Sequence, residues 1–295
     1  MEKNFENKIL LGNCIDLSDE IPDNSIQTIV TSPPYYGLRK YGDNDHEIGR
    51  EATVDLYIER LVSTFRKLRS KLKDEGSFWI NLGDSYIDKE LQGIPWEVAL
   101  ALKKDGWILR NDIIWHKPNA MPSSVKDRLT VDHEYLFFFT KSKKYFYNSD
   151  IIREPHVTFS PNSKMRGGRK HFREGITPEK GKNAGNANLH TGDWTRAFNP
   201  NGRNKRTVWS IPLSKFRDAH FAVFPEKLIE PCILATSQIG DLVLDPFMGS
   251  GTTAIVALKN NRKFLGFELI EKYVDIANKR IQSCEVDLST QLDLF

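Results

Sequence analysis

Residues 241–258 read DLVLDPFMGSGTTAIVAL. An apolar run ends on an acid, Asp245. A proline and a loop of small residues follow, then an apolar stretch that closes at Asn260 and Asn261. This is the pattern of a buried strand, a tight loop and a helix. Gly249 and Gly251 allow positive φ and let a ligand come close to the backbone. Thr252 or Thr253 is placed to cap the helix, whose first amides attract negative charge. The loop lacks the Lys of a Walker sequence and is not GxGxxG. The next strand, KFLGFE, ends on Glu268, 23 residues after Asp245. An acid after the second strand suits a ribose diol. The pair therefore points to an adenosine-bearing cofactor over Asp245, Pro246, Phe247, Gly249, Ser250, Gly251 and Thr252, rather than to helix–strand packing alone.

Outward from this unit, strand and helix patterns alternate. Ile26 to Val30 is a short β-branched strand that runs into TSPPYY, residues 31–36. Val54 to Leu72 has helical spacing, SFWINLGDSY reads as strand and turn, and a helix opens near Pro95 and ends at Gly106. WILRNDIIW is a strand, and EYLFFFT is continuous and apolar, as a strand buried on both faces should be. TVWSIP, a helix from Pro225 kinked at Pro231, and a closing helix EKYVDIANKRI complete the set. This alternation predicts an α/β, doubly wound, mostly parallel sheet.

Between about Pro155 and Arg206 the periodicity stops and seven glycines accumulate. From Pro155 to Arg217 there are 13 Lys and Arg against 3 Asp and Glu, a surplus of +10 in a chain of 295 residues whose net charge is +3. The remainder therefore carries −7. Phe159, Phe172, Trp194, Phe198 and Trp209 interleave with the basic residues, which favours nucleic acid over a merely solvated loop. The expected division is 1–154, a basic inserted region 155–215, and 216–295.

The start of the chain does not read as a secretory signal, and no apolar run nears the roughly 20 residues of a membrane span, so a cytoplasmic protein without membrane contact is expected. Cys14, Cys232 and Cys284 are far apart, and no CxxC or His/Cys cluster marks a metal site. Pro231-Cys232 sits in an apolar helical stretch without a basic neighbour, so a buried structural thiol is expected there.

Together, DPFMGSGTT and GFE resemble the cofactor motifs of amino-group DNA methyltransferases that use S-adenosylmethionine, and TSPPY resembles their catalytic motif. HFAVFPEKL, WHKPN, DHEYLFFF and VWSIP resemble further blocks. The order, catalytic motif first, then a variable basic region, then the cofactor motif, is that of the β group. The resemblance implies a permuted Rossmann-like methyltransferase core with an inserted target-recognition region. It places the methionine end of the cofactor near Phe221, Phe224 and Pro225, and an acid of the N-terminal block, Asp16 or the Asn13 position, near the adenine. It implies double-stranded DNA as partner, with Arg166, Arg169, Lys170, Arg173, Arg196, Arg203, Lys205 and Arg206 on the basic segment. A cognate restriction endonuclease would be a genetic partner only, and the protein a monomer or homodimer.

The chemistry accounts for Ser32, Pro33, Pro34 and Tyr35. An amino group conjugated to a base ring has little free lone pair. Two acceptors bound to its hydrogens favour a pyramidal nitrogen aimed at the methyl. A serine hydroxyl can be one acceptor and a backbone carbonyl the other. Prolines fix φ, carry no N–H and stiffen the preceding residue. Tyr35 offers a face on which an extruded base stacks, worth about 1–3 kcal/mol. By resemblance, serine rather than aspartate at position 32 points to cytosine N4 instead of adenine N6. The alternatives are an adenine-N6 enzyme on this scaffold and a non-catalytic nucleic-acid-binding protein.

Overall fold

A computed structural model describes residues 4–38, 46–156, 199, 201–213 and 224–292, with side chains to residue 286. It forms two units, one of residues Met1–Asn148 with Arg206–Phe295, the other of Ser149–Lys205.

In the first unit, β1 (Lys8–Leu11) leads to α1 (Cys14–Glu20), which Asn13 caps by accepting from the Ile15 amide. Next come β2 (Ile26–Thr31) and α2 (Val54–Lys71), whose N-cap is Thr53. β3 (Leu72–Leu82) follows directly, then a small hairpin of β4 (Tyr86–Ile87) and β5 (Glu90–Leu91), and α3 (Ile94–Lys104) with Pro95 in its first turn. β6 (Ile108–His116), β7 (His133–Thr140) and β8 (Val208–Ser210) come next, then α4 (Glu226–Thr236), which continues through Pro231. β9 (Leu242–Asp245), α5 (Thr252–Lys259), β10 (Lys263–Glu268) and α6 (Glu271–Leu292) complete it.

Among the described residues, eight strands form one sheet in the order β1-β10-β9-β2-β3-β7-β6-β8. β7 is antiparallel to β3 and β6, and the other neighbours are parallel. The expected mostly parallel α/β sheet is therefore present. The strand period of two explains how it is covered. Phe137 and Phe139 pack in one apolar cluster with Leu61, Phe65 and Val98 of α2 and α3. Their neighbours Leu136 and Phe138 pack in another with Ile229, Ile233 and Val256 of α4 and α5. Trp79 and Phe138 stack at 4.0 Å between centroids. Each such aromatic contributes about 1.5–3 kcal/mol by burial. β2 is buried at all six positions, which is why IQTIVT lacks alternation.

One feature of connectivity positions the site. From β2 the chain moves to β3 on one side, and from β9 to β10 on the other, while β2 and β9 pair directly, Thr28 with Val243 and Ile29 with Leu244. The strand order reverses there. In open α/β sheets ligands bind at the carboxyl ends of strands beside such a switch. The three cysteines are buried free thiols. Burial pushes Cys14 up to about 12, so it is no nucleophile.

Candidate active site

The loops leaving β2 and β9 are joined where they begin. Thr31 Oγ1 donates to Asp245 Oδ1 at 2.6 Å across 214 residues of sequence. Thr253 Oγ1 donates to Asp245 Oδ2 at 2.6 Å, and the Phe247 amide to Asp245 Oδ1 at 3.0 Å. Asp245 is buried, and burial raises its carboxyl to about 6 against the lowering effect of these bonds. Glu268 ends β10. It accepts from the Gly249 amide at 2.8 Å and the Ile270 amide at 3.0 Å, and burial raises it as well.

A cleft opens between the two loops, with about 1040 Å³ of empty space counted to its mouth. Ser32 and Pro34 line it from the proline corner, and Asp245, Pro246, Phe247, Gly249, Ser250, Thr252 and Glu268 from the glycine side. Phe224 lines it too, whereas Pro225 is the N-cap of α4 and stands back. Gly249 has φ +53°, and a Cβ there would find only the Phe247 carbonyl oxygen within 4 Å, at 3.9 Å. The loop is thus an open cradle at that point.

Two expectations change, and one choice left open is narrowed. Gly251, with φ +83°, does not line the cleft; a Cβ there would stand 2.9 Å from Ala277 Cβ, so this glycine serves helix packing. Neither threonine caps α5: its N-cap is Gly251, without a side-chain bond, because Thr253 is held by Asp245. Asn13 lines the cleft, and Asp16 stands behind it, accepting from Asn13 Nδ2 at 3.3 Å.

Of the remaining corner groups, Pro33 and the Tyr35 hydroxyl face inward, while Tyr35 as a whole is half-buried. Pro33 is buried, and the Pro34 carbonyl accepts from Tyr57 Oη at 2.9 Å. The Tyr35 ring lies against Gly83, where a Cβ would come within 2.6 Å of it. Tyr35 Oη contacts Ser32 Oγ at 3.2 Å, Glu134 Oε2 at 2.7 Å and Asn81 Nδ2 at 2.7 Å. Burial, and then Glu134, raise the phenol well above its ordinary value. Sequence reasoning missed Asn81, Lys117 and Glu134 here. The available signals were a lone amide inside the apolar SFWINL and single charges at the ends of two strands.

Arg280, also missed, donates from Nη1 to the Ser250 carbonyl and at 2.8 Å to Ser250 Oγ, clamping the loop from α6. Among the described residues, no group of three or more His, Cys, Asp or Glu is placed to hold a metal. Nor is any described helix long and apolar enough to cross a membrane.

Of the residues expected on DNA, Arg203 and Lys205 pair with Glu154 at 3.3 and 3.4 Å within the second unit. Arg206 lends its carbonyl to Trp209 Nε1. Arg166, Arg169, Lys170, Arg173 and Arg196, together with Phe221, lie outside the described residues.

The family model described as DNA methylase, of the N6/N4 type, matches residues 26–279. The chain is 39% identical over 300 residues to the Type II methyltransferase M.Cfr9I of Citrobacter freundii, covering 92% of this chain and 86% of that protein. It is 37% identical over 311 residues to M.SmaI of Serratia marcescens, covering 95% and 93%. Among solved structures, the PvuII DNA methyltransferase (cytosine-N4-specific) aligns with a TM-score of 0.66 at 20% identity, over 95% of this chain and 91% of that one. A putative DNA modification methylase of Thermus thermophilus, solved with S-adenosyl-L-methionine, aligns with a TM-score of 0.61 at 24% identity over 94% of each chain. These likenesses show the shared fold.

Proposed function

The chain belongs to the N6/N4 DNA methylase family, and from that premise we propose that it methylates the exocyclic N4 amino group of a cytosine swung out of double-stranded DNA, with S-adenosylmethionine as donor. The observation that carries this reading is the Thr31–Asp245 bond, which puts Ser32 and the glycine loop on one cleft.

The residues fit that donor. Glu268 keeps lone pairs free beside its two amide bonds for a ribose diol. Phe247 and Ile270 give the cleft apolar wall, and Gly249 lets a ligand reach the backbone. When bound, S-adenosylmethionine supplies an electrophilic methyl carried on a sulfonium. The chain's own task is to hold the amine. Ser32 Oγ accepts one of its hydrogens and a carbonyl of the proline corner accepts the other, so that the nitrogen lone pair is aimed into the cleft. Extruding the base costs a few kcal/mol, offset by these contacts and by stacking on Tyr35.

The 155–215 region grips phosphates and reads base edges, so affinity for DNA falls steeply with salt. The relatives M.Cfr9I and M.SmaI are Type II methyltransferases, which supports reading this chain as the protective half of a restriction system.

Digesting DNA methylated by the protein and identifying the modified nucleoside by mass spectrometry tests the reading. N4-methylcytosine is expected. N6-methyladenine would move the substrate to adenine on the same scaffold, and no methyl incorporation on any DNA would reduce the protein to a binding module.

A further inference from the structure

Behind the cleft, the polar side chains of Glu134, Asn81 and Ser32 meet at the Tyr35 hydroxyl, and Lys117 joins them through Glu134. Glu134 is the second residue of β7, Asn81 lies near the end of β3, Lys117 follows β6, and Ser32 follows β2. Glu134 receives Tyr35 Oη and Asn81 Nδ2 on Oε2, each at 2.7 Å, and pairs with Lys117 Nζ through Oε1. The Lys117 ammonium also stands 4.6 Å from the centroid of the Trp115 ring.

The donor inventory allows one direction for this chain. Tyr35 has a single proton. Its neighbours are a carboxylate, which only accepts when ionised, an amide nitrogen, which only donates, and the Ser32 hydroxyl, which can do either. The amide orientation follows from the same contacts, because an Asn81 oxygen turned this way would face the carboxylate. The Tyr35 proton therefore goes to Glu134, along the shorter and charge-assisted contact of 2.7 Å rather than the 3.2 Å one. The phenol oxygen then accepts from both Asn81 and Ser32. The Ser32 proton is drawn toward Tyr35 and away from the cleft, so the lone pairs of Ser32 Oγ are what remains for a ligand.

We propose that Glu134 is a positioning residue that fixes the direction of the hydrogen-bond chain Ser32 to Tyr35 to Glu134, so that Ser32 meets the substrate amine only as an acceptor. This rests on the reading of Ser32 as the amine's acceptor. A serine free to rotate would spend part of its time presenting its proton to a group that needs lone pairs. The carboxylate removes that orientation without touching the substrate. The same bonds hold the Tyr35 ring against Gly83.

Glu134→Gln keeps the shape but can present an N–H to Tyr35, which frees the phenol proton for Ser32 and reverses the chain. Tyr35→Phe keeps the ring and cuts the chain. Each is expected to slow single-turnover methyl transfer tenfold or more, with cofactor and DNA affinities within about twofold of wild type. Because both act through Ser32, the double variant should be no slower than the worse single one, and Glu134→Gln should change the residual rate of Ser32→Ala by less than about twofold.

A merely structural role for Glu134 would give losses that multiply, and that result overturns the proposal. So does a Glu134→Gln enzyme at near wild-type rate while Ser32→Ala is crippled. Should Ser32→Ala itself run at the wild-type rate, the reading of Ser32 falls first and the inference falls with it. If the Ser32→Ala rate is too low to follow, the Tyr35/Glu134 cycle alone decides.

Discussion

The two loops that meet at the cleft are held in place by opposite means. The corner after β2 has no backbone donor at Pro33 or Pro34, and its φ angles are set by rings. Its carbonyls need no ladder partner. The loop after β9 has donors to spare and little stiffness of its own. It is held from outside: Asp245 takes the Phe247 amide, Glu268 takes the Gly249 amide, and Arg280 donates to the Ser250 carbonyl. The contrast teaches how each loop is exposed to solution conditions. A corner that presents acceptors is fixed covalently. A loop that receives a ligand is fixed by buried charges, whose burial raises the pKa of both acids.

The sharpest way to break this comparison is at Ser32, the corner side chain proposed to accept from the amine. Ser32→Ala should lower methyl transfer by roughly 10²–10³, the scale of losing one preorganised hydrogen-bonding group, while cofactor binding and thermal midpoint stay put. A loss of cofactor affinity equal to the loss of rate would mean that the corner belongs to the cofactor site.

On the other side, the two glycines should separate. Gly251→Ala meets both a left-handed φ of +83° and Ala277 Cβ at 2.9 Å, so it should cost about 2–4 kcal/mol of stability, read by urea unfolding. Gly249→Ala meets open space, so it should cost about 1–2 kcal/mol for its φ, and its larger effect should be on cofactor affinity. Equal stability losses would show that the cradle, too, is a packing device.

The glycine side was the more legible in sequence. DLVLD, the small-residue loop and KFLGFE are local patterns, and the acid spacing carries the ribose reading. The proline corner needed its companions, because an isolated SPPY also reads as a turn. What stayed illegible was long-range. HEYLFFFT announces a buried strand but not its direction, and β7 proves antiparallel, pairing Asn81 with Leu136 while β6 sets Trp115 opposite Glu134. Those registers bring Asn81, Glu134 and Lys117 behind Tyr35, and no local periodicity encodes them. Likewise a threonine after a glycine loop reads as a cap until a buried aspartate claims its hydroxyl, as Asp245 does with Thr253.

If the glycine side is held by charge, its stability should titrate. Asp245 is raised from 3.8 to about 6 in the folded protein. The folded state thus binds this proton more tightly than the unfolded chain. The wild type should therefore lose stability as pH rises from about 4 to about 6, by on the order of 2–3 kcal/mol. Asp245→Asn carries no such titration, and Thr253 can turn its proton to the Val30 carbonyl, which already lies within 3.5 Å. The variant should gain on the wild type across that interval and hold the gain above it. Thermal midpoints of the two proteins that stay parallel from about pH 4.5 to about pH 8 would remove charge from the account of this loop.

The smallest effect is expected where the corner borrows a hydrogen bond it does not need. Tyr57 on α2 donates to the Pro34 carbonyl at 2.9 Å. If the prolines fix the corner, Tyr57→Phe removes one bond to a group already held in place. Stability should fall by about 1 kcal/mol, and methyl transfer by well under tenfold. The ring itself stays buried in the α2 face of the core, so the change isolates the hydroxyl. A loss of rate approaching that of Ser32→Ala would mean that the carbonyl direction comes from Tyr57 rather than from the rings. The proline corner would then be a loop held from outside, no different in kind from its glycine neighbour.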